Sequence, residues 1–428
     1  MIISGLIISD KSTGNIHNSL LETSKILCLF LPLLLSNTDN KKGLLFGLYI
    51  ACCMASTIGV SAYILHSDRF RLIQSINGIT RVQGVLEYAN TMAVFCGIGI
   101  ILSIYYIKKY ESCKFANEIM LGVNGVCLIM TGSKLGMAAF AFSVVMVLCL
   151  KYKKIIPYAL GALATAILYV ALLFATGREN IILGSTLACR LIYWHDALKV
   201  ILKNPFGVGV YGWQELQYKI QTANYSVKYV HNGFLQLALD GGILSFLGAL
   251  LMVASGIIAA VRQYLKERKE ISLHLLAILL LIATHSLVDI DFAYGAIWLS
   301  LGLALCFTKT EEIKINKRIV FILCLVFSVN SMFSKADNAN RVEALAKEFS
   351  IAYINNDFET MHNLSKEWLA EAPRQQCAYD ACFISLTALN KKDELNALYK
   401  TVSEINKSMN VLCKYLSQHQ NIVLPGKD

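Results

Sequence analysis

Charge is scarce in this sequence. Asp, Glu, Lys and Arg make up only 16% of it, against about 25% in an ordinary soluble domain. That shortage excludes a chain that is water-soluble along its whole length. Proline is scarcer still, with 5 in 428 residues, so little interrupts the backbone bonding of long helices. The 13 cysteines lack arrangement: they form no Cys-x-x-Cys and no Cys/His spacing of a metal site. Cys28, Cys52, Cys53, Cys96, Cys127, Cys149, Cys306 and Cys324 lie inside apolar runs, where cysteine is a small hydrophobe. Cys377 and Cys382 are five apart. That spacing puts them on different faces of a helix, and no bridge is expected. The net charge of +10 lacks a basic stripe interleaved with aromatics, so nucleic acid is not an expected partner. Met1–Ile8 is short and has no basic n-region, so a signal peptide is not expected there.

Apolar residues are abundant, at 56%, and they come in runs. A bilayer span needs about 20 apolar residues, and approximate spans fall at 22–36, 43–65, 91–107, 117–131, 135–150, 155–176, 233–261, 271–288, 292–307 and 318–334. Lipid forces the backbone to satisfy its own hydrogen bonds, so the expected fold class is all-α. It is a polytopic membrane helical bundle of about ten spans, with a large outer loop and a C-terminal helical, repeat-like domain. Every second loop is basic: Lys41 and Lys42; Lys108, Lys109 and Lys114; Lys151, Lys153 and Lys154; Arg262, Lys266, Arg268 and Lys269; Lys309, Lys314, Lys317 and Arg318. The positive-inside rule puts those loops in the cytoplasm. A multi-pass membrane protein is expected. The loop 177–232 and the C-terminal domain would then be extracytoplasmic.

Two domains are expected: a transmembrane bundle over 1–335 that includes the loop 177–232, and a helical domain over 336–428. The loop is long for a structureless connection. Its Leu187, Leu191, Trp194, Leu198 and Ile201 recur at helical spacing, and Pro205 and Gly207 stop the pattern. Such a helix suits the membrane surface or the top of the bundle. In the C-terminal domain, Val342–Ile354 and Asp357–Leu369 followed by Pro373 fit a helix-turn-helix unit, and a second pair follows at 377–405. The pattern fits a tetratricopeptide-like pair or a plain helical hairpin bundle.

Polar constellations gather at the outward ends. They are Arg81-Val82-Gln83-Gly84 with Asn90; Thr131-Gly132-Ser133-Lys134; Arg190 to Trp194 followed by Asn204 to Gly209; and Val230 to Gln236 followed by Asp240-Gly241-Gly242. Each has a plainer reading. Arg81 and Arg190 suit snorkelling to headgroups, Lys134 a solvated turn, and His231 a polar helix start. Asp240 lies about two turns into an apolar run, where a carboxylate is usually functional. His285, Asp289 and Asp291 sit near the outer end of their span. Cations at that face suit a diphosphate. A histidine there can move a proton near neutral pH. Trp194, Trp213, Tyr211 and Tyr229 suit sugar rings or lipid headgroups. An amphiphile with a diphosphate head matches the set.

These residues resemble the bacterial O-antigen ligase and O-antigen polymerase family. Its core pattern is an arginine shortly before a tryptophan, a Pro-x-Gly-x-Gly turn, and a His-Asn pair opening a long helix. Here that reads Arg190, Trp194, Pro205-Phe206-Gly207-Val208-Gly209 and His231-Asn232-Gly233-Phe234-Leu235-Gln236. Arg81 to Gly84, Asn90 to Ala93, the hairpin 131–134 and His285 to Asp289 fall where the family has similar segments, and the likeness covers about 75–307. The resemblance implies an inverting transferase acting on polyprenyl-diphosphate-linked oligosaccharides at the outer membrane face. It implies that His231 binds or deprotonates the acceptor hydroxyl and that Arg190 holds the donor diphosphate. Lys134, Arg81, Asn232, Trp194 and Asp240 complete the expected substrate-binding set. No metal or other cofactor is expected, because fixed cations stand in its place. Family members often carry arginine at the hairpin, and here Lys134 keeps the charge without the bidentate fork.

Polymerase is the favoured chemistry, since the outer helical domain could hold a growing chain or a chain-length or assembly protein. Ligation of a glycan to lipid or protein is the alternative. Other classes are a transporter or flippase of lipid-linked sugars, which would be expected to show paired halves with interrupted helices, and a non-enzymatic scaffold.

Overall fold

A computed structural model describes residues 22–24, 26–27, 38–66, 71–76, 78–176, 180–223, 225, 227–307, 318–319, 321–322, 325, 339–372 and 376–405. The expected spans 22–36 and 318–334 lie largely outside the described residues.

The membrane part is built of α1 (Thr38–Ile64), α2 (Ala89–Lys109), α3 (Lys114–Met130), α4 (Lys134–Lys151), α5 (Ile156–Ala175), α8 (Gly233–Glu267), α9 (Glu270–Ser286) and α10 (Gly295–Phe307). Between α5 and α8 lie α6 (Asn180–Lys203) and α7 (Gly212–Ile220). Five of the described helices, α1 to α4 and α8, are long and apolar enough to cross a bilayer, and α9 and α10 are shorter apolar helices. Together they make a multi-pass membrane protein. α2 is its axis. Met92, Ile98 and Leu102 on α2 and Leu275, Ile278, Leu279, Leu281 and Ile282 on α9 are fully buried. They share one core with Leu45, Leu48 and Tyr49 of α1 and Ile297 and Leu301 of α10. Several polar side chains inside are paired, which offsets the cost of burying them. Tyr49 donates to Asn117 at 2.8 Å, and Ser56 donates to Asn124 at 2.7 Å. At the end of α2 remote from Asn90, Glu270 meets Lys108 at 3.3 Å and Lys151 at 2.7 Å. These exposed pairs contribute little.

An all-helical expectation misses one element. β1 (Ile73–Ile76) and β2 (Ile79–Val82) form an antiparallel hairpin with Ile76 opposite Ile79. The sequence at its turn is Asn77-Gly78, the strongest short hairpin signal. The hairpin delivers Arg81 to the mouth of the bundle.

The expected loop 177–232 is largely helical. On α6 the face turned inward is Arg190, Ala197, Val200 and Ile201, while Leu191 and Leu198 of the expected stripe are exposed. That exposed face suits a lipid surface.

The long helix α8 is broken. Gly242 has φ 77, ψ −176, which is not helical, so the first leg (233–241) turns away from the second. The Pro205–Val208 turn fills the break: Val208 N–H donates to Leu239 O, and Ile243 N–H donates to Pro205 O at 2.8 Å. Both partners are freed backbone groups that would otherwise be unsatisfied. The contact leaves no room for side chains. A Cβ on Gly207 would lie 2.5 Å from Gly242 N, and one on Gly242 2.5 Å from the Phe206 carbonyl carbon.

The C-terminal part contains α11 (Ala339–Ile354), α12 (Phe358–Glu371), α13 (Gln376–Ala388) and α14 (Lys392–Ile405). These match the spacing expected from sequence. Asp357 caps α12 by accepting from Thr360 N–H at 3.1 Å. Leu345, Phe349, Met361 and Trp368 form one small core, and Tyr379, Phe383, Leu386 and Val402 another.

Candidate active site

Three separate segments converge on Asp289, which sits in the turn after α9 and is fully buried. Tyr88, the residue before α2, donates its hydroxyl to Oδ1 at 2.7 Å. Asn90 Nδ2, on the first turn of α2, donates to Oδ2 at 2.7 Å. Arg190 Nη2, from α6, lies 3.0 Å from Oδ2, and its Nη1 donates to the Val288 carbonyl. His231 Nδ1, from the start of α8, lies 3.3 Å from Oδ1. The neighbouring Ile290 N–H also donates to Oδ1, at 2.8 Å.

Electrostatics favour the ionised form of Asp289. Burial opposes ionisation of Asp289, but the His231 hydrogen bond and the Arg190 charge outweigh it. The carboxyl is held well below the usual carboxylate range. An ionised carboxylate only accepts, so His231 Nδ1 is the donor in that contact. The lone pair of the neutral imidazole is then on Nε2. Burial and the Asp289 charge push the Tyr88 hydroxyl up, so Tyr88 stays a donor.

Backbone geometry presents the histidine. His231 has φ 51, the left-handed region that non-glycine residues rarely occupy. Asn232 caps the first leg of α8: its Oδ1 accepts from Leu235 N–H at 3.0 Å, and its Nδ2 donates to Leu287 O at 2.7 Å. Trp194 Nε1 donates to the carbonyls of Val230 at 3.0 Å and His231 at 3.2 Å. His231 keeps 24% of its side chain exposed, while Arg190 keeps 4%. The imidazole is therefore the solvent-accessible member of the pair and the guanidinium the buried one.

The expected residues divide into groups. Arg190 and His231 meet at Asp289, and Asn232 and Trp194 hold the backbone on either side of His231. Arg81 joins them indirectly, donating from Nη2 to Asn90 Oδ1 at 2.9 Å and from Nε to Thr131 O at 2.7 Å. Through Thr131 it ties in the hairpin, where Ser133 caps α4 by accepting from Gly136 N–H at 3.1 Å and Lys134 is exposed on its first turn. Asp240 stands apart on the first leg of α8, accepting from Gln236 Nε2 at 2.8 Å. It faces a cavity of about 40 Å³ shared with Glu22, Tyr211 and Tyr229. A second, apolar cavity of about 300 Å³ lies in the elbow of α8, between Asn232, Phe234, Phe246, Leu250, Ala283 and Leu287.

Asn90 and Asp289 stood in the expected polar constellations without an assigned role, and Tyr88 was not singled out at all. Behind them a second pair is fully buried: His285 Nδ1 lies 2.7 Å from Asp291 Oδ2, and Thr91 donates to Asp291 Oδ1 at 3.0 Å.

The fold and the cluster define a multi-pass membrane protein with a carboxylate–imidazole–guanidinium site at one end of its bundle. The model of the family described as O-Antigen ligase matches residues 119–250. The match takes in the hairpin 131–134, Arg190, the Pro205–Gly209 turn and His231-Asn232, and it supports the O-antigen ligase/polymerase family for this chain. Glycan transfer of that general type is the activity it supports, with lipid-linked oligosaccharide and membrane lipid as the implied partners. No curated protein matches the chain.

Proposed function

We propose that the protein transfers glycan from a polyprenyl-diphosphate-linked donor to a sugar hydroxyl at the outer membrane face, in surface polysaccharide assembly. The observation that carries this reading is the Asp289–His231 contact backed by Arg190. Asp289 orients the imidazole so that Nε2 points its lone pair away from the carboxylate. Nε2 takes the proton of the acceptor hydroxyl as that oxygen attacks the anomeric carbon. The carbon–oxygen bond to the diphosphate breaks with inversion, and the diphosphate leaves with the electron pair. General base catalysis of this kind contributes about 10²–10⁴-fold.

The leaving diphosphate gains charge as the bond breaks, so fixed cations near it stabilise the transition state more than the ground state. They supply charge that a metal ion would otherwise bring. Arg190 commits Nη1 and Nη2 to Val288 and Asp289, but its buried Nε–H has no partner among the described residues. Exposed Lys134 is the second cation. The apolar elbow beside Asn232 suits the first isoprenoid units of the donor. The Tyr211, Tyr229 and Asp240 cavity suits an acceptor hydroxyl.

Polymerase chemistry is the favoured form, with the helical residues 339–405 outside the membrane as a tetratricopeptide-like hold for the chain or for a length-control partner. Ligation onto a lipid or protein acceptor uses the same site.

The test is the glycan length ladder of cells in which His231→Ala or His231→Gln replaces the native protein, with membrane insertion checked by blot. Loss of the ladder with accumulation of lipid-linked units is expected. A normal ladder in His231→Ala overturns the assignment and favours a transporter or scaffold.

A further inference from the structure

We propose that Asp196 is a positioning residue for His231, acting through the backbone of residues 221–231; the inference rests on the functional reading above, which makes His231 the group to be held.

Asp196 lies on α6 and is fully buried. Its carboxylate accepts from Thr222 N–H at 2.8 Å, from the Thr222 hydroxyl at 3.0 and 3.1 Å and from the Tyr225 hydroxyl at 2.9 Å. His195 at 3.4 Å and Lys199 at 3.7 Å face the same oxygen from the outer side. None of these groups belongs to the site around Asp289. What they hold lies in the connection from α7 to α8, whose described residues 221–223, 225 and 227–231 belong to no helix or sheet. Backbone groups in such a segment must find partners outside regular structure.

The rest of the segment is fastened at three further points. Gln217 donates to Val227 O at 3.1 Å and accepts from Val227 N–H at 3.0 Å. Gln236 accepts from Val230 N–H at 3.1 Å. Trp194 holds the carbonyls of Val230 and His231. A non-glycine residue with φ 51 persists only where its surroundings over-determine it, and these bonds are the surroundings. There is also a direct path through the rings. Tyr225, held by Asp196, packs 4.6 Å from Tyr193, whose ring lies 6.3 Å from the His231 imidazole. Arg190, Tyr193, Trp194 and Asp196 therefore all act from one stretch of α6. The helix that supplies the counter-charge of Asp289 also aims the histidine at it.

The experiment uses the full chain in lipid nanodiscs, with transfer from a lipid-linked donor to a soluble acceptor. Asp196→Ala should lower kcat on the order of 10²-fold, the size of effect that follows from a misplacement of about 1 Å. KM for the donor should stay within about twofold. Hydrogen exchange in peptides covering 221–231 should speed up while that of 233–241 does not. In a His231→Ala background, Asp196→Ala should change the residual rate by less than about twofold, because a residue acting through His231 has nothing left to act on. Asp196→Asn, which still accepts from Thr222 N–H, should retain most of the rate. If Asp196→Ala does not insert, Thr222→Val with Tyr225→Phe removes the two hydroxyl donors while leaving the Thr222 N–H, and should give the same pattern at smaller size.

Equal losses in the wild-type and His231→Ala backgrounds would overturn the proposal. So would a fall in kcat with unchanged exchange at 221–231, or a wild-type kcat in Asp196→Ala. A wild-type rate in His231→Ala alone would instead overturn the functional reading beneath it.

Discussion

Replacing Asp289 with asparagine keeps the shape of the side chain and removes its charge. The structure sets the size of the effect. Arg190 is 4% exposed and its only charged partner among the described residues is Asp289, at 3.0 Å. Removing one member of a buried pair leaves the other charge uncompensated, which costs about 3–5 kcal/mol. The new amide must also turn its NH₂ toward one of the donors Tyr88, Asn90 or Arg190, which adds to the loss. That is a large part of a typical stability of about 5–15 kcal/mol. The assay is reversible denaturation of the purified protein in mixed micelles, followed by tryptophan fluorescence. Arg190→Met in the same chain should restore most of the stability, because no bare charge then remains, while transfer activity stays lost in both variants. The sign with pH is fixed by the depressed Asp289 carboxyl. Its stabilisation is present above the ordinary carboxylate pKa of about 3.9 and is lost as pH falls below it toward the folded value. The gap between wild type and Asp289→Asn should therefore narrow in that window. A single variant within about 1 kcal/mol of wild type, or a double variant no more stable than the single, would refute the reasoning.

Gly242→Ala should be destabilised by about 3–6 kcal/mol, from a glycine-only backbone region and the loss of buried backbone bonds to the Pro205 turn; an unchanged denaturation midpoint would refute the steric account. Lys134→Arg should keep the glycan ladder and Lys134→Gln should lose much of it, whereas Arg190→Lys should be impaired despite its unchanged charge. Full ladders in both Lys134→Gln and Arg190→Lys would mean that these cations only anchor the chain. Single cysteines at Lys203 and Ser350, in a cysteine-free background, should react with an impermeant thiol reagent on intact cells. Labelling only after lysis would invert the proposed orientation.

Sequence alone carried the helical class, the approximate extents of α11 and α12 and two members of the cluster. Arg190 and His231 were legible because each belongs to a local pattern. Asp289 was visible only as part of a string, because its role comes from partners on α2, α6 and the start of α8. Nothing in the spacing of Tyr88, Asn90, Arg190 and His231 says that they share one carboxylate. Asp196 was hidden for a different reason: a single acid on an amphipathic helix reads as a solvated face, and its burial depends on Thr222 and Tyr225. Two signals were there to be used. Asn77-Gly78 marks the hairpin, and Gly241-Gly242 inside an apolar helical run marks the break in α8.

That break has a consequence for how the protein is made. Bare backbone groups in lipid cost several kcal/mol each, so a helix interrupted at Gly242 would insert poorly by itself. Pro205–Val208 precede Leu239–Ile243 in the chain, so during synthesis the plug reaches the membrane before the gap that it fills. The order of these two segments along the chain should therefore matter for insertion. A circular permutant opened between them, at residues 222–223, would synthesise the gap first and should insert less efficiently than the native order.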